Sequence, residues 1–122
     1  HVASSGKSDG YENIDRLLAM MDEFPNLYAD ISSLTQINKR KNLRKVIGDK
    51  RLKGRLLYGT DYPLINTVIV NPIQYLLNLN LKQLKDLLMT HNPWDRDVKL
   101  KSYLGFGSEV FGLSKEFLKI SK

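Results

Sequence analysis

An aspartate follows a short apolar run in "GRLLYGTDYPL", residues 54–64, and its position suggests chemistry. Residues 56–58 are typical of a buried strand, and Asp61 stands where that strand would end. A carboxylate at such a position needs a cation or several hydrogen-bond donors, because an isolated buried charge is very costly. Two interpretations stay open from the residues alone. Asp61 is a catalytic or metal-binding group, or it caps a helix that begins near Pro63.

Two further residues could bind a metal or orient a substrate. Counting one βα unit back from a strand that begins at residue 27 puts the end of an earlier strand at His1, on the same rim as Asp61. Imidazole and carboxylate groups bind zinc, although catalytic zinc takes at least three protein ligands. Asp30, in "LYADISS", could orient a substrate or a metal ligand. The alternatives are a structural or exposed His1 and a hydrogen-bonded structural Asp30.

Alternating helix and strand patterns must position these residues. A stripe of apolar residues predicts a helix from about Asn13 that ends before Pro25. Residues 27–34 and 55–61 have strand composition, and a basic amphipathic helix lies between them at about 39–48. The strands begin 28 residues apart, close to the roughly 30 residues of one parallel βα unit. The pattern therefore predicts a parallel sheet with helices outside it and active residues at the carboxyl ends of its strands.

The two ends of the chain differ in character. Residues 1–13 are small and polar and predict a loop, whereas residues 65–122 are mostly helical by period. "TVIV", 67–70, is ambiguous between strand and helix. Asn92 is predicted to cap a helix that has Pro93 in its first turn, with Asp95 and Asp97 favouring its positive end.

Composition limits the class of protein. The chain has 122 residues, enough for one domain, and no cysteine, which excludes disulfides and thiolate metal sites and favours a cytoplasmic location. No apolar run is long enough to span a bilayer, and no signal-peptide pattern opens the chain. The net charge is +6, and much of it lies in residues 38–55. This stretch indicates either a solvated helix or the surface of a non-catalytic interaction or nucleic-acid-binding module, although no aromatic residue is interleaved for base stacking.

Three segments in order carry a resemblance to a known family. "HVASSG", then "ENIDRLLAMMDEFPNLYADISSL", then "RLLYGTDYPL" resemble the C-terminal part of the amidohydrolase superfamily, in its amidohydrolase-2 branch. The resemblance covers residues 1–64, and it extends loosely to the helical remainder through "NP" at 92–93. It implies an α/β fold, the C-terminal fragment of a (β/α)8 TIM barrel, with strands seven and eight and their covering helices. Residues 1–122 would then be a single partial domain, with the βα units in 1–64 and the helical part in 65–122.

The resemblance also implies a function. His1 and Asp61 would be metal ligands, and Asp61 would accept the proton of a water that attacks a small carboxyl or lactone substrate, or would serve a related decarboxylation. The metal would be divalent, most often zinc in this family. The family's paired histidines and its fifth-strand ligand have no counterpart here, so the isolated chain is expected to be inactive and to hold little or no metal. Its expected partners are the missing N-terminal half of the barrel or a second copy, together with a small-molecule substrate; membrane binding is not expected, and nucleic acid is not favoured.

Overall fold

A computed structural model describes residues 2–3, 6–62 and 75–117 of the chain, apart from the side chains of residues 37 and 114. Its strands are β1 (Lys7–Ser8), β2 (Tyr11–Glu12), β3 (Ala29–Asp30) and β4 (Leu56–Leu57). Its helices are α1 (Asn13–Glu23), α2 (Arg40–Gly48), α3 (Leu81–Met89), α4 (Pro93–Tyr103) and α5 (Ser108–Phe117). Two 3-10 turns, Ile37–Lys39 and Lys50–Leu52, come before α2 and after it.

β3 and β4 pair in parallel, which confirms that part of the sequence prediction. In the register of this pair, Ala29 is opposite Leu56 and Asp30 is opposite Leu57. Helix α2 lies between the two strands in the chain. On the opposite edge of β3, the Val2 amide donates to the Asp30 carbonyl oxygen at 2.9 Å. β3 is therefore hydrogen-bonded along both edges, to β4 on one side and to Val2 on the other. The described residues form no closed barrel, and the barrel fragment stays a prediction.

Both of these strands are shorter than the sequence predicted. The expected spans of 27–34 and 55–61 were wrong in extent, since only 29–30 and 56–57 are in strands. Beyond these strands, Ser33 and Asp61 have left-handed backbones, with φ of 53° and 54°, so an extended segment does not continue through them. Residues 58–61 are not helical.

The predicted N-terminal loop contains a small hairpin instead. β1 and β2 pair antiparallel around Asp9 and Gly10, which both have positive φ. An Asp-Gly pair favours such a two-residue turn, because both residues tolerate the left-handed region. The prediction overlooked this signal in "SDGY".

Helix α1 follows its apolar stripe and is held at its end by an arginine. Its buried side chains are Ile14, Leu18 and Met21. The helix ends at Glu23, before Pro25, as predicted. The Arg55 guanidinium donates to the carbonyl oxygens of Met21 and Phe24 at 2.9 and 3.1 Å, which satisfies acceptors that the helix end leaves open.

The helices of the C-terminal half also begin where the sequence indicates. The Asn80 side chain accepts from the Gln83 amide at the start of α3, and Gln83 reaches back to complete a capping box. The Asn92 side chain accepts from the amides of residues 94 and 95, with Pro93 at the first helical position, so the predicted cap is confirmed. "TVIV" lies outside the described residues. Within the described part of the chain, no helix is both long and apolar enough to cross a membrane.

The described parts of the two halves share one hydrophobic core. Ile31, Leu34 and Leu56, from the strands and the turn after β3, are buried in the same cluster as Leu87, Leu100, Phe106 and Val110 from the C-terminal half. The C-terminal helices therefore cover the parallel strands, and this packing positions α4 beside the carboxyl ends of β3 and β4.

Candidate functional site

The carboxyl ends of β3 and β4 approach each other closely at Gly59. A Cβ atom placed on Gly59 would lie 3.0 Å from the Ser32 Cβ and 3.7 Å from an Asp30 carboxylate oxygen. The Asp30 carboxylate accepts hydrogen bonds from the Ser32 amide, at 3.1 Å, and from the Ser32 hydroxyl. Asp30, Ser32 and Gly59 therefore lie together at the carboxyl ends of β3 and β4, and only glycine fits this approach without displacing its neighbours.

A fully buried lysine from helix α4 reaches the same rim. Lys101 is 1% exposed, and its Nζ donates to the Asp97 carboxylate at 2.7 Å and to the Gly59 carbonyl oxygen at 3.1 Å. The ammonium also lies 4.9 Å from the centre of the Tyr58 ring. The Tyr58 hydroxyl donates to the same Asp97 oxygen at 3.0 Å. The three side chains join α4 to the end of β4.

The charges of this cluster are mutually dependent. Burial lowers the pKa of Lys101, and the carboxylates of Asp97, Asp30 and Asp61 act in the opposite direction. Burial and the neighbouring Asp97 raise the pKa of Tyr58 well above its usual range, so the phenol stays protonated at neutral pH. Asp30 and Asp61, both predicted from the sequence as site residues, therefore lie within electrostatic range of one ammonium group.

The predictions for His1 and for Asp61 as a helix cap fall partly outside the described residues. His1 lies outside the described residues, and so does Pro63, where the helix that Asp61 might cap would begin. Asp61 itself follows β4 in a left-handed conformation and is partly exposed.

A metal does not fit the described residues by themselves. Across residues 2–3, 6–62 and 75–117, no three metal-binding side chains lie close enough together to hold an ion. Asp30 and Asp61 supply carboxylates at the rim, but the Lys101 ammonium already lies within their field. A catalytic zinc with at least three protein ligands would therefore require donors beyond this set.

The sequence analysis did not predict the buried ion pair of Asp97 and Lys101. Asp97 and Lys101 stand four residues apart in "DVKLK", the spacing at which a carboxylate and an ammonium meet on one helix face. The prediction that Asp97 serves the positive end of α4 was wrong, because Asp97 is beyond the first turn, 4% exposed and paired with Lys101. The spacing is visible in the sequence, but the burial is not.

Three of the nine lysines and arginines in residues 38–55 are paired with carboxylates among the described residues. The ammonium groups of Lys41 and Lys45 bind the Glu12 carboxylate, and together they lower the pKa of Glu12 to about 2. Arg51 binds Asp49 at 2.5 Å and Asp22 at 3.2 Å. These pairs leave less free positive charge on the surface than the composition suggests.

The chain matches no protein-family model, no curated protein and no solved structure. The resemblance to the amidohydrolase superfamily therefore rests on the sequence segments themselves.

Proposed function

We propose that this chain is the C-terminal part of a metal-dependent hydrolase of the amidohydrolase type. The reaction would be attack of water on a small carboxyl or lactone substrate, or a related decarboxylation. The observation that carries the proposal is the parallel pairing of β3 and β4. Asp30 and Asp61 both stand at the carboxyl ends of these strands, and the charge of each favours the protonated form of Lys101. Active residues of parallel α/β folds gather at this end of the strands.

Asp61 is the proposed catalytic residue. Its carboxylate would accept a proton from the attacking water, a role that needs an ionised group at an accessible position, and Asp61 is partly exposed. His1 and Asp61 are the proposed metal ligands of this chain, and Asp30 would orient the substrate or a ligand. A bound divalent ion, such as zinc, would acidify the water.

The proposal requires further residues beyond those described. Because the described residues do not hold a metal alone, the other ligands would come from the remainder of a barrel or from another copy of the chain. Several large apolar side chains are exposed, including Leu77 at 95% and Leu81 at 85%, which supports a covering partner. We expect the isolated chain to be inactive, with little or no metal, and we place the protein in the cytoplasm.

The nucleic-acid alternative has less support. Such a module would present unpaired lysines and arginines to phosphates. Three of the nine basic residues in 38–55, Lys41, Lys45 and Arg51, instead bind carboxylates within the chain, and no aromatic residue is interleaved in this stretch for base stacking.

The test is the substitution Asp61→Asn in the full-length enzyme, assayed with zinc against a panel of aryl esters and lactones. Loss of a general base costs about 100-fold to 10,000-fold in turnover, and we expect a loss of that size. Asp22→Asn is the matched control, because Asp22 is an exposed aspartate on α1, and its variant should keep its activity. Equal activity of the Asp61→Asn variant and the wild type, with unchanged circular dichroism, would refute the proposal.

A further inference from the structure

The turn that follows β3 is buried although it is mostly polar. Residues 31–36 are all buried, and Ser32, Ser33, Thr35 and Gln36 are among them. Ser33 has a left-handed backbone, which a non-glycine residue rarely adopts and which is concentrated at ligand-binding sites. Connecting segments usually lie on the surface, so a buried polar turn at the carboxyl end of a strand is unusual.

The side chain of a second buried lysine, Lys39, reaches this turn. Lys39 is 8% exposed, and its Nζ donates to the Ser33 hydroxyl oxygen at 2.6 Å. Among the described residues, that hydroxyl is its one hydrogen-bond partner, and no carboxylate lies within ion-pair distance of it. A buried ammonium has three hydrogens to donate and is costly without a counter-charge. Lys101 shows the contrast, since its ammonium is balanced by Asp97.

The backbone beside Lys39 adds positive potential. The 3-10 turn Ile37–Lys39 runs into α2, and neither Gln36 nor Lys39, the residues that precede these two elements, gives a side-chain cap. No acidic residue stands in the first turn of either element. Amide groups at the start of a helix favour a negative group, and Lys39 is the residue that precedes α2.

We propose that Lys39 and Ser33 form a binding site for a small oxyanion, a carboxylate or a phosphate group. The Ser33 hydroxyl accepts from Lys39 and therefore keeps its own hydrogen to donate to the anion. The Lys39 ammonium supplies charge-assisted hydrogen bonds to the same group. This site does not involve Asp61 and goes beyond the proposed hydrolase function; if both hold, it would receive an anionic group of the substrate.

Calorimetric titration of the 122-residue chain tests this site. Sodium phosphate and sodium acetate are the two probes, added at constant ionic strength against sodium chloride. We expect saturable binding of at least one probe, weakened at least tenfold by Lys39→Met and also weakened by Ser33→Ala, which removes only the hydroxyl. Lys82→Met is the matched control, because Lys82 is exposed on α3, and its affinity should equal that of the wild type.

The two probes distinguish the sources of the anion. Binding of phosphate alone assigns a phosphate group, binding of acetate alone assigns a carboxylate, and binding of both assigns an oxyanion site of broad specificity. If Lys39→Met does not fold, Ser33→Ala and the charge-conserving Lys39→Arg decide: loss of affinity in the first and its retention in the second support the site. Absence of saturable binding, or unchanged affinity in Ser33→Ala and Lys39→Met, overturns it. Because Asp61 is not involved, Asp61→Asn should bind the probe like the wild type whatever its effect on turnover.

Discussion

Substituting Lys101 by methionine should destabilise the fold more than any surface change. Methionine keeps most of the volume of the side chain but removes the ammonium, and the Asp97 carboxylate, 4% exposed, is then left with the Tyr58 hydroxyl. Removing one partner of a buried ion pair costs about 3–5 kcal/mol, because the other charge stays buried without its counter-charge. Small domains are stable by about 5–15 kcal/mol in all, so the variant should lose a large share of its stability.

A double-mutant cycle isolates the pair. Asp97→Asn together with Lys101→Met removes both charges while the asparagine can still accept from Tyr58. We expect the double variant to be more stable than Lys101→Met alone, with a coupling energy of about 2–3 kcal/mol. Urea unfolding followed by circular dichroism gives the free energies of unfolding of all four proteins.

The matched control is the pair of Lys99 and Asp86, whose side chains are 40% and 38% exposed at a similar distance of 2.8 Å. The same cycle on this pair should give about 0–1 kcal/mol. A coupling energy for Asp97 and Lys101 that is no larger than the control value would refute the reasoning, since it would mean that water reaches the pair.

Two further predictions concern the rim and the N-terminal surface. Gly59→Ala should reduce the free energy of unfolding by about 1–3 kcal/mol, because the added methyl group would lie 3.0 Å from the Ser32 Cβ. The control is Gly48→Ala, at a helical position with open space around its Cβ, which should be neutral or stabilising in the same urea assay. Equal effects of the two substitutions would contradict the close approach. Glu12 has its pKa lowered from 4.5 to about 2 by its two lysine partners, so its contribution to stability is present above pH 4.5 and is lost as the pH falls from 4.5 towards 2. Urea midpoints of the wild type and Glu12→Gln at low salt should therefore converge over that interval, and a constant difference would show that the ion pairs do not stabilise the fold.

Local patterns predicted the helices well because local physics decides where they begin and end. The stripe from Ile14 to Met21 and the Asn92 cap both act within a few residues of themselves, and both are found where the sequence indicated. The parallel pairing of β3 with β4 was also predictable, since one helix between two strands leaves few other topologies. Strand length was not predictable, because β3 and β4 end at Asp30 and Leu57, several residues before the strand-like composition of each segment ends.

Some residues of the candidate site were also predictable from the sequence and others were not. Asp30 and Asp61 could be named from the sequence because each follows a recognisable apolar run. Lys39 and Lys101 could not, since each is one lysine among many in a chain of net charge +6. Whether an ammonium is solvated or buried depends on which helix covers it, and that is decided by contacts between residues far apart in the chain, such as Lys101 with Gly59.

The sequence by itself determined the order of the helices and of the two parallel strands, the pairing of these strands and the position of Asp61 at their rim, since periodicity and caps are local. Only the tertiary structure decided that one buried lysine is balanced by Asp97 and another, Lys39, has only a serine hydroxyl among the described residues. The physical reason is that the cost of a charge depends on the groups packed around it, which no single segment of sequence contains.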